Sequence, residues 1–126
     1  MIGSEATKPS KSFPSLRLRV YLDTEEWIGP GKIELLEKIQ THGSISAAGR
    51  AMNMSYRRAW ALVEEIHEMF GRSPVEVQIG GKGGGGASLT RFGHDLVQQY
   101  RTIERSAEQA AHKELSALWG RYSGKA

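Results

Sequence analysis

Two helical segments joined by a very short connection constrain this fold more than any other feature of the chain. Ser44 is a favourable N-cap for the first segment, and Ser55 for a second one that stops at Gly71. Between them lies Met-Asn-Met-Ser, in which Asn53 is the residue that best tolerates a left-handed backbone. Two helices separated by so short a turn predict a helix-turn-helix.

The segments around this pair predict strands and further helices. Residues 16–22 alternate between apolar and polar side chains, as a half-buried strand does, and residues 75–79 do the same. The apolar faces of these two strands would be Leu16, Leu18, Val20 and Leu22, and then Val75, Val77 and Ile79. A helix with an apolar stripe of Ile33, Leu36 and Ile39 lies between the first strand and Gly43, which is expected to end it.

The second half of the chain completes the expected order of elements. A glycine run follows residue 79, then a short return strand, and Thr90 is expected to cap a last helix of about 29 residues, roughly 43 Å long. We therefore expect a mainly α fold with a small β component, a winged helix-turn-helix followed by a long C-terminal helix. The expected divisions are a flexible basic tail (1–15), the winged domain (16–90), the long helix (91–120) and a short tail (121–126).

The glycine run is the expected tip of the wing. Six of the seven residues from Gly80 to Gly86 are glycine, and the seventh is Lys82. A phosphate loop would need Ser or Thr after the lysine and then a helix, and a dinucleotide fingerprint would need a βαβ unit; neither pattern is present. The run is then either a disordered hairpin tip or a wing whose backbone N–H groups and lysine approach DNA phosphates, and the preceding helices favour the wing.

The second helix of the pair, about residues 55–70, is the expected recognition helix in the major groove. Arg57 and Arg58 lie in its first turn, whereas its acidic residues come later. The alternative is that both arginines form only a solvated face. Trp60 is expected to pack in the core rather than to stack on a base. The residues expected to contact DNA are Ser44, Ser46, Ser55, Tyr56, Arg57, Arg58, Lys82, Gly83 and Gly84.

Composition excludes several classes of function. The 126 residues include no cysteine, so disulfides, thiolate metal sites and cysteine catalysis are excluded, and a cytoplasmic protein is expected. No stretch is apolar enough for a membrane span, and the N terminus does not resemble a secretory signal. The four histidines are far apart, so we expect no metal site, no cofactor in this chain, no small-molecule site and no enzyme activity. The net charge of +3 is compatible with nucleic acid.

The last helix is expected to hold a homodimer together. Apolar and small residues recur in it at intervals of mostly three and four, and its length exceeds the face that one compact domain can cover. A two-fold related copy is the simplest partner, although a helix wrapped on its own domain is the alternative. The expected dimer residues are Leu96, Tyr100, Ile103, Ala107, Ala110, Leu115 and Leu118.

Residues 42–71 (HGSISAAGRAMNMSYRRAWALVEEIHEMFG) and 80–104 (GGKGGGGASLTRFGHDLVQQYRTIE) resemble the N-terminal DNA-binding domain of the ModE family, the molybdate-responsive transcriptional regulators. The glycine-rich wing followed by Leu-Thr-Arg and glycine is the most specific part of the match, which extends from about Leu16 to about Ala107. The resemblance implies a LysR-like winged helix-turn-helix that dimerises and binds double-stranded DNA at a palindromic operator.

The chain departs from this family at its C-terminal end. Family members of full length carry molybdate-binding domains of β-barrel type after this domain, whereas this sequence stops at Ala126, so no molybdate ligand can be carried over. The ending resembles a natural terminus, yet a stand-alone DNA-binding protein and a fragment of a longer molybdate sensor both stay open. A third alternative is a dimeric interaction protein that keeps the winged fold but no longer reads DNA.

Overall fold

The computed structural model describes residues 13–79 and 85–122, which form five helices and two small antiparallel sheets. In chain order the elements are β1 (Val20–Tyr21), β2 (Trp27–Ile28), α1 (Pro30–His42), α2 (Ile45–Ala51), α3 (Tyr56–Phe70), β3 (Val75–Gln78), β4 (Gly86–Leu89), α4 (Arg91–Ala110) and α5 (His112–Tyr122). Strand β1 pairs with β2, and β3 pairs with β4. The expected mainly α fold with a small β component is confirmed.

Helix α1 is the centre of the core. Its side chains Ile33, Leu35, Leu36 and Ile39 are all fully buried, and they pack with residues of α2, α3, β4 and α4. Pro30 stands at the start of the helix, where its missing N–H costs nothing, and Gly43 ends it in a left-handed conformation with φ of 80°. The expected stripe and the expected glycine stop are both confirmed.

Local sequence also determines the boundaries of α2, α3 and α4. The hydroxyl oxygens of Ser44, Ser55 and Thr90 each accept a hydrogen bond from the backbone N–H three residues later. Each therefore satisfies one of the N–H groups that a helix leaves without an internal partner. Asn53 adopts the expected left-handed backbone, with φ of 57°, in the connection between α2 and α3.

The hairpin β3–β4 is attached to the end of α1. Its register pairs Val75 with Leu89 and Gln78 with Gly86. The N–H of Ala87 donates to the carbonyl of Gly43 at 2.8 Å, and the N–H of Leu89 donates to the side-chain oxygen of Gln40 at 2.9 Å. The base of the wing is thus held against the point at which the chain leaves α1 and enters α2.

The expected burial of Val77 and Ile79 was wrong. Val75 is buried, but Val77 is 43% exposed and Ile79 is 94% exposed. Val75 and Val77 lie on the same face of β3 by alternation, and Ile79 follows the end of that strand, but the core covers only Val75 of the three.

The N-terminal strand is much shorter than the sequence pattern predicts. Only Val20 and Tyr21 pair, with Ile28 and Trp27, and Leu22 is 51% exposed. The preceding residues instead lie along α4: the Leu16 N–H donates to Glu108, and the Tyr100 hydroxyl donates to the Leu18 carbonyl. Helix α4 takes the place that a partner strand would have occupied.

The expected single C-terminal helix is interrupted. Helix α4 ends at Ala110 and α5 begins at His112, because Ala111 departs from helical geometry with φ of −101° and ψ of 8°. The N–H of Ala111 still bonds to the Ala107 carbonyl, and the N–H of Leu115 to the Ala111 carbonyl. In the described part of the chain, no helix is long and apolar enough to cross a membrane.

Helix α4 is attached to α1 by a buried ionic cluster that the sequence pattern does not reveal. The Arg101 guanidinium binds both carboxylate oxygens of Glu37, at 3.0 and 2.8 Å, and one oxygen of Glu104 at 2.7 Å. Arg101 is only 2% exposed. The two carboxylates raise the pKa of the guanidinium further above its ordinary value, against the opposing effect of burial. The cluster fixes the α4 axis relative to the helix-turn-helix.

Candidate nucleic-acid interface

The crossing of α2 and α3 depends on a very close backbone approach at Gly49. A Cβ atom there would lie 3.2 Å from the Met54 carbonyl oxygen and 3.4 Å from the Ala59 side chain. The N–H groups of Met52, Asn53 and Met54 return to carbonyls of α2 and close the turn. The first turn of α3 is thus rigidly positioned relative to α2.

Arg57 and Arg58 both lie on the exposed side of that first turn. Within residues 13–79 and 85–122, neither guanidinium has a hydrogen-bond or ion-pair partner. The backbone N–H of Arg58 is capped by Ser55, so the helix begins at a defined residue. Two unneutralised cations at the positive end of a helix form a suitable surface for phosphate or for the acceptor atoms of guanine.

The acidic residues of α3 lie away from this end, as the sequence indicates. Glu65 pairs with the buried ammonium of Lys32 on α1 at 3.4 Å, and Glu64 is 3.9 Å from the imidazole of His67. Both carboxylates thus lie on later turns of α3 than the two arginines. The cationic first turn is therefore not neutralised by its own helix.

The serines of α2 have local roles in the structure. The Ser44 hydroxyl caps α2, and the Ser46 hydroxyl accepts a hydrogen bond from the guanidinium of Arg50 at 2.9 Å. Arg50 is an exposed cation that the sequence reasoning missed. Its position four residues after Ser46 was the available signal, because residues i and i+4 share one face of a helix.

Tyr56 and Trp60 form a pair on α3. Tyr56 is 56% exposed, and Trp60 packs partly against the core, as expected for a side chain that does not stack on a base. The indole Nε1–H of Trp60 donates a hydrogen bond to the Tyr56 hydroxyl oxygen. The rings meet edge to face, with centroids 6.4 Å apart and planes at 83°.

The wing approaches the helix-turn-helix through its return strand. A Cβ atom on Gly86 would lie 3.1 Å from the Gly43 carbonyl oxygen, one residue before the cap of α2. Strand β4 thus starts beside the N terminus of α2. Lys82, Gly83 and Gly84, which are expected to contact DNA, lie outside the described residues.

The expected dimer residues fall into two groups. Tyr100 is 3% exposed and belongs to the core of its own chain, and Leu96 packs partly against that core, so the expectation that Tyr100 faces a partner was wrong. Ile103 and Leu118 are 44% and 59% exposed, Ala110 is exposed, and Ala107 and Leu115 are half-buried. The aromatic ring of Tyr100 lies in the core, and its hydroxyl donates a hydrogen bond to the Leu18 carbonyl.

No group of three or more histidine, aspartate or glutamate side chains that could hold a metal ion occurs among residues 13–79 and 85–122. The surface around the first turns of α2 and α3 instead carries the separate cations Arg50, Arg57 and Arg58 beside the capped starts of the two helices. Such a surface binds an extended anion by many separate contacts.

Comparison with known proteins agrees with this geometry. No family model matches the chain. The chain is 37% identical over 95 residues to the transcriptional regulator ModE of Haemophilus influenzae, a match that covers 75% of this chain and 37% of that protein. It is 34% identical over 95 residues to the molybdenum transport protein ModE of Azotobacter vinelandii, covering 73% of this chain and 35% of that protein. The chain thus spans little more than a third of the length of these curated relatives.

A solved structure supports the fold. The CbnR_DBD–DNA complex superposes with a TM-score of 0.54 over 70% of this chain and 95% of that chain, at 17% sequence identity. At this identity the similarity establishes the fold alone, and that fold is a winged helix.

Proposed function

We propose that this chain, which carries an N-terminal DNA-binding domain of the ModE type, is a sequence-specific DNA-binding transcriptional regulator. The observation that carries the proposal is the pair Arg57 and Arg58, exposed and without partners in the described residues, at the capped start of α3. In this arrangement α3 enters the major groove by its N-terminal end, and the wing follows the backbone.

Rigidity makes this surface suitable for recognising one sequence rather than any polyanion. The Gly49 crossing fixes α3 on α2, and the bond between Ala87 and Gly43 fixes the wing on α1 and α2. Because the backbone of α3 is already held in place, DNA binding has to order only the arginine side chains and not the helix that carries them. Specific contacts to base edges then come from the arginines, while the wing and the helix caps add phosphate contacts.

We also propose that the chain acts as a homodimer on a palindromic operator in the cytoplasm. Ile103 on α4 and Leu118 and Trp119 on α5 are each about half exposed, and none of the apolar residues of α5 between positions 112 and 121 belongs to the core. A two-fold copy would cover these exposed apolar side chains and place two recognition helices at a fixed separation. One relative is a molybdenum transport protein by name, and we propose that this chain regulates genes of molybdenum homeostasis.

The test is a selection of duplexes from a random-sequence library by the purified chain. The proposal expects recovery of an inverted repeat, and expects that repeat to be bound more tightly than a scrambled duplex of equal length at the same salt concentration. Recovery of no common sequence, or equal binding of the recovered and scrambled duplexes, would show that this chain does not read DNA sequence.

A further inference from the structure

The hydrogen bond between Trp60 and Tyr56 has an unambiguous direction. Indole Nε1–H is only a donor, so the Tyr56 oxygen must be the acceptor. A side chain in an α-helix leans toward the N terminus, which places Trp60 over the residue four positions earlier. The pair therefore follows from helical geometry, and it places an oriented hydroxyl in the first turn of α3.

This direction leaves the Tyr56 proton available. A phenol oxygen has one O–H to donate and can accept up to two hydrogen bonds. Trp60 occupies one acceptor position, and within residues 13–79 and 85–122 no acceptor receives the Tyr56 O–H. A hydroxyl that already accepts a bond is also polarised toward donating one. The exposed O–H is thus an oriented donor on the same helical turn as Arg57 and Arg58.

We propose that Trp60 is a positioning residue that holds the Tyr56 hydroxyl as a hydrogen-bond donor to a phosphate oxygen of the DNA backbone. The inference rests on the proposed function of α3 as the recognition helix. A phosphate oxygen is favoured because it is purely an acceptor and because the start of a helix and its two neighbouring arginines attract anions. The edge-to-face packing keeps the phenol ring in one orientation, so DNA binding does not have to order it.

A purely structural role for Trp60 makes a different prediction. Trp60 packs partly against the core, so its truncation lowers stability whether or not it orients Tyr56. Any loss of DNA affinity that follows from this lower stability would be the same with tyrosine or phenylalanine at position 56. Dependence of the Trp60 effect on the Tyr56 hydroxyl is therefore the property that separates the two roles.

The experiment is a double-mutant cycle on DNA affinity. Tyr56→Phe removes only the hydroxyl. Replacement of Trp60 by benzothienylalanine substitutes sulfur for the indole N–H and keeps the shape of the side chain, and Trp60→Phe provides an encoded second variant. Each chain and each double variant is titrated with the duplex recovered by selection and with a scrambled duplex, and thermal unfolding checks that each is folded.

The expected result is a loss for Tyr56→Phe of roughly three- to tenfold on both duplexes, with no change in the salt dependence, because the lost donor is neutral. The benzothienylalanine variant should lose about two- to threefold in DNA affinity when position 56 is tyrosine, and should lose no affinity when position 56 is phenylalanine. Trp60→Phe should show the same dependence on position 56 beside its loss of packing.

Three outcomes would overturn the inference. The first is a benzothienylalanine variant that binds DNA as tightly as the parent. The second is a benzothienylalanine variant whose loss of DNA affinity is equal with tyrosine and with phenylalanine at position 56. The third is a Tyr56→Phe loss confined to the selected duplex, which would assign the hydroxyl to a base edge. A parent chain that binds neither duplex would instead refute the proposed function.

Discussion

Gly93, in the first turn of α4, lies directly against the backbone of Pro74: a Cβ atom at position 93 would be 2.1 Å from the Pro74 carbonyl oxygen. The same Pro74 oxygen accepts a hydrogen bond from the N–H of Thr90, and the Thr90 hydroxyl donates to the carbonyl of Ser73. The start of α4 and the start of the wing are therefore one packed unit, so the wing cannot shift without moving α4.

Gly93→Ala should destabilise the fold, although alanine normally favours a helix by about 1 kcal/mol over glycine. The methyl group must displace backbone at Pro74, and such overpacking typically costs about 1–3 kcal/mol. Gly31→Ala is the matched control, because nothing lies within 4 Å of a Cβ at that helical position. Urea unfolding should show a loss for Gly93→Ala and no loss for Gly31→Ala. Equal stability of the two variants would refute the close contact.

Arg57→Ala and Arg58→Ala should each weaken binding to the selected duplex by about 1–3 kcal/mol if the arginine contacts a base, and should relax the preference at one base pair. The physical reason is the loss of a bidentate donor to guanine. Fluorescence anisotropy at several salt concentrations measures both effects. Lys113→Ala is the control, since it removes the same charge from α5, far along the chain. If both arginine variants bind like the parent, α3 is not the recognition helix.

Ile103→Glu should weaken the proposed dimer and, with it, operator binding, although Ile103 is not expected to touch DNA. Ile103 is 44% exposed on α4, and a carboxylate there would be buried without a partner in an apolar interface. Sedimentation velocity and DNA titration on the same samples test the two effects together. Gln98→Glu adds the same charge to an exposed polar position of α4 and should leave both unchanged.

A monomeric parent at micromolar concentration would contradict the proposed homodimer. So would an Ile103→Glu variant that is folded, monomeric and fully active on the inverted repeat. In either case the exposed apolar face of α4 and α5 would need a different explanation.

Tyr100 should make stability fall at alkaline pH. Burial, and then the neighbouring Glu104 carboxylate, raise the pKa of the Tyr100 phenol above its ordinary value of 10.0. The stabilisation from this group is fully present below pH 10.0 and is lost as the pH rises through the higher pKa of the folded state. Tyr100→Phe should be less stable than the parent by about 1 kcal/mol at neutral pH, because the bond to Leu18 is lost.

The difference in the free energy of unfolding between the parent and Tyr100→Phe should shrink as the pH rises above 10.0. Only the parent has a phenol at position 100, and that phenol ionises more readily in the unfolded chain than in the folded one. Urea unfolding at a series of alkaline pH values gives the two curves. Parallel curves across that range would show that Tyr100 ionisation is not linked to folding.

The 126-residue chain should bind molybdate weakly and without preference over sulfate. A selective oxyanion site needs several N–H, hydroxyl or cationic donors that converge on one closed position. The described cations on the proposed DNA-facing side, Arg50, Arg57 and Arg58, are exposed single charges instead. Calorimetric titration with molybdate, and then with sulfate as the control anion, measures this. Micromolar and molybdate-selective binding would contradict the prediction.

Features that depend on local interactions could be predicted from the residues alone. Ser44, Ser55 and Thr90 cap their helices, and Gly43 and Asn53 adopt left-handed backbone, as their chemistry predicts. Each of these is settled within three or four residues of chain, so no partner from elsewhere is needed. The connection between α2 and α3 is equally local, and its shortness predicts the helix-turn-helix.

Tertiary structure decided which of the apolar residues would be buried and where. Val77 and Ile79 continue the alternation of Val75, yet no part of the core covers them. Tyr100 continues an apolar stripe of α4, yet it turns inward to the Leu18 carbonyl. Periodicity identifies the face of an element, whereas the neighbour that covers that face comes from a distant part of the chain.

The contact between Arg101 and Glu37 shows the same limit for charged residues. These residues are 64 positions apart, and nothing in the local pattern distinguishes Arg101 from a solvated cation. Only the packing of α4 on α1 excludes water from the guanidinium and makes its pairing with two carboxylates necessary. The sequence specified most of the helix starts and stops, and the folded chain specified which charges are buried between elements and which, such as Arg57 and Arg58, stay exposed.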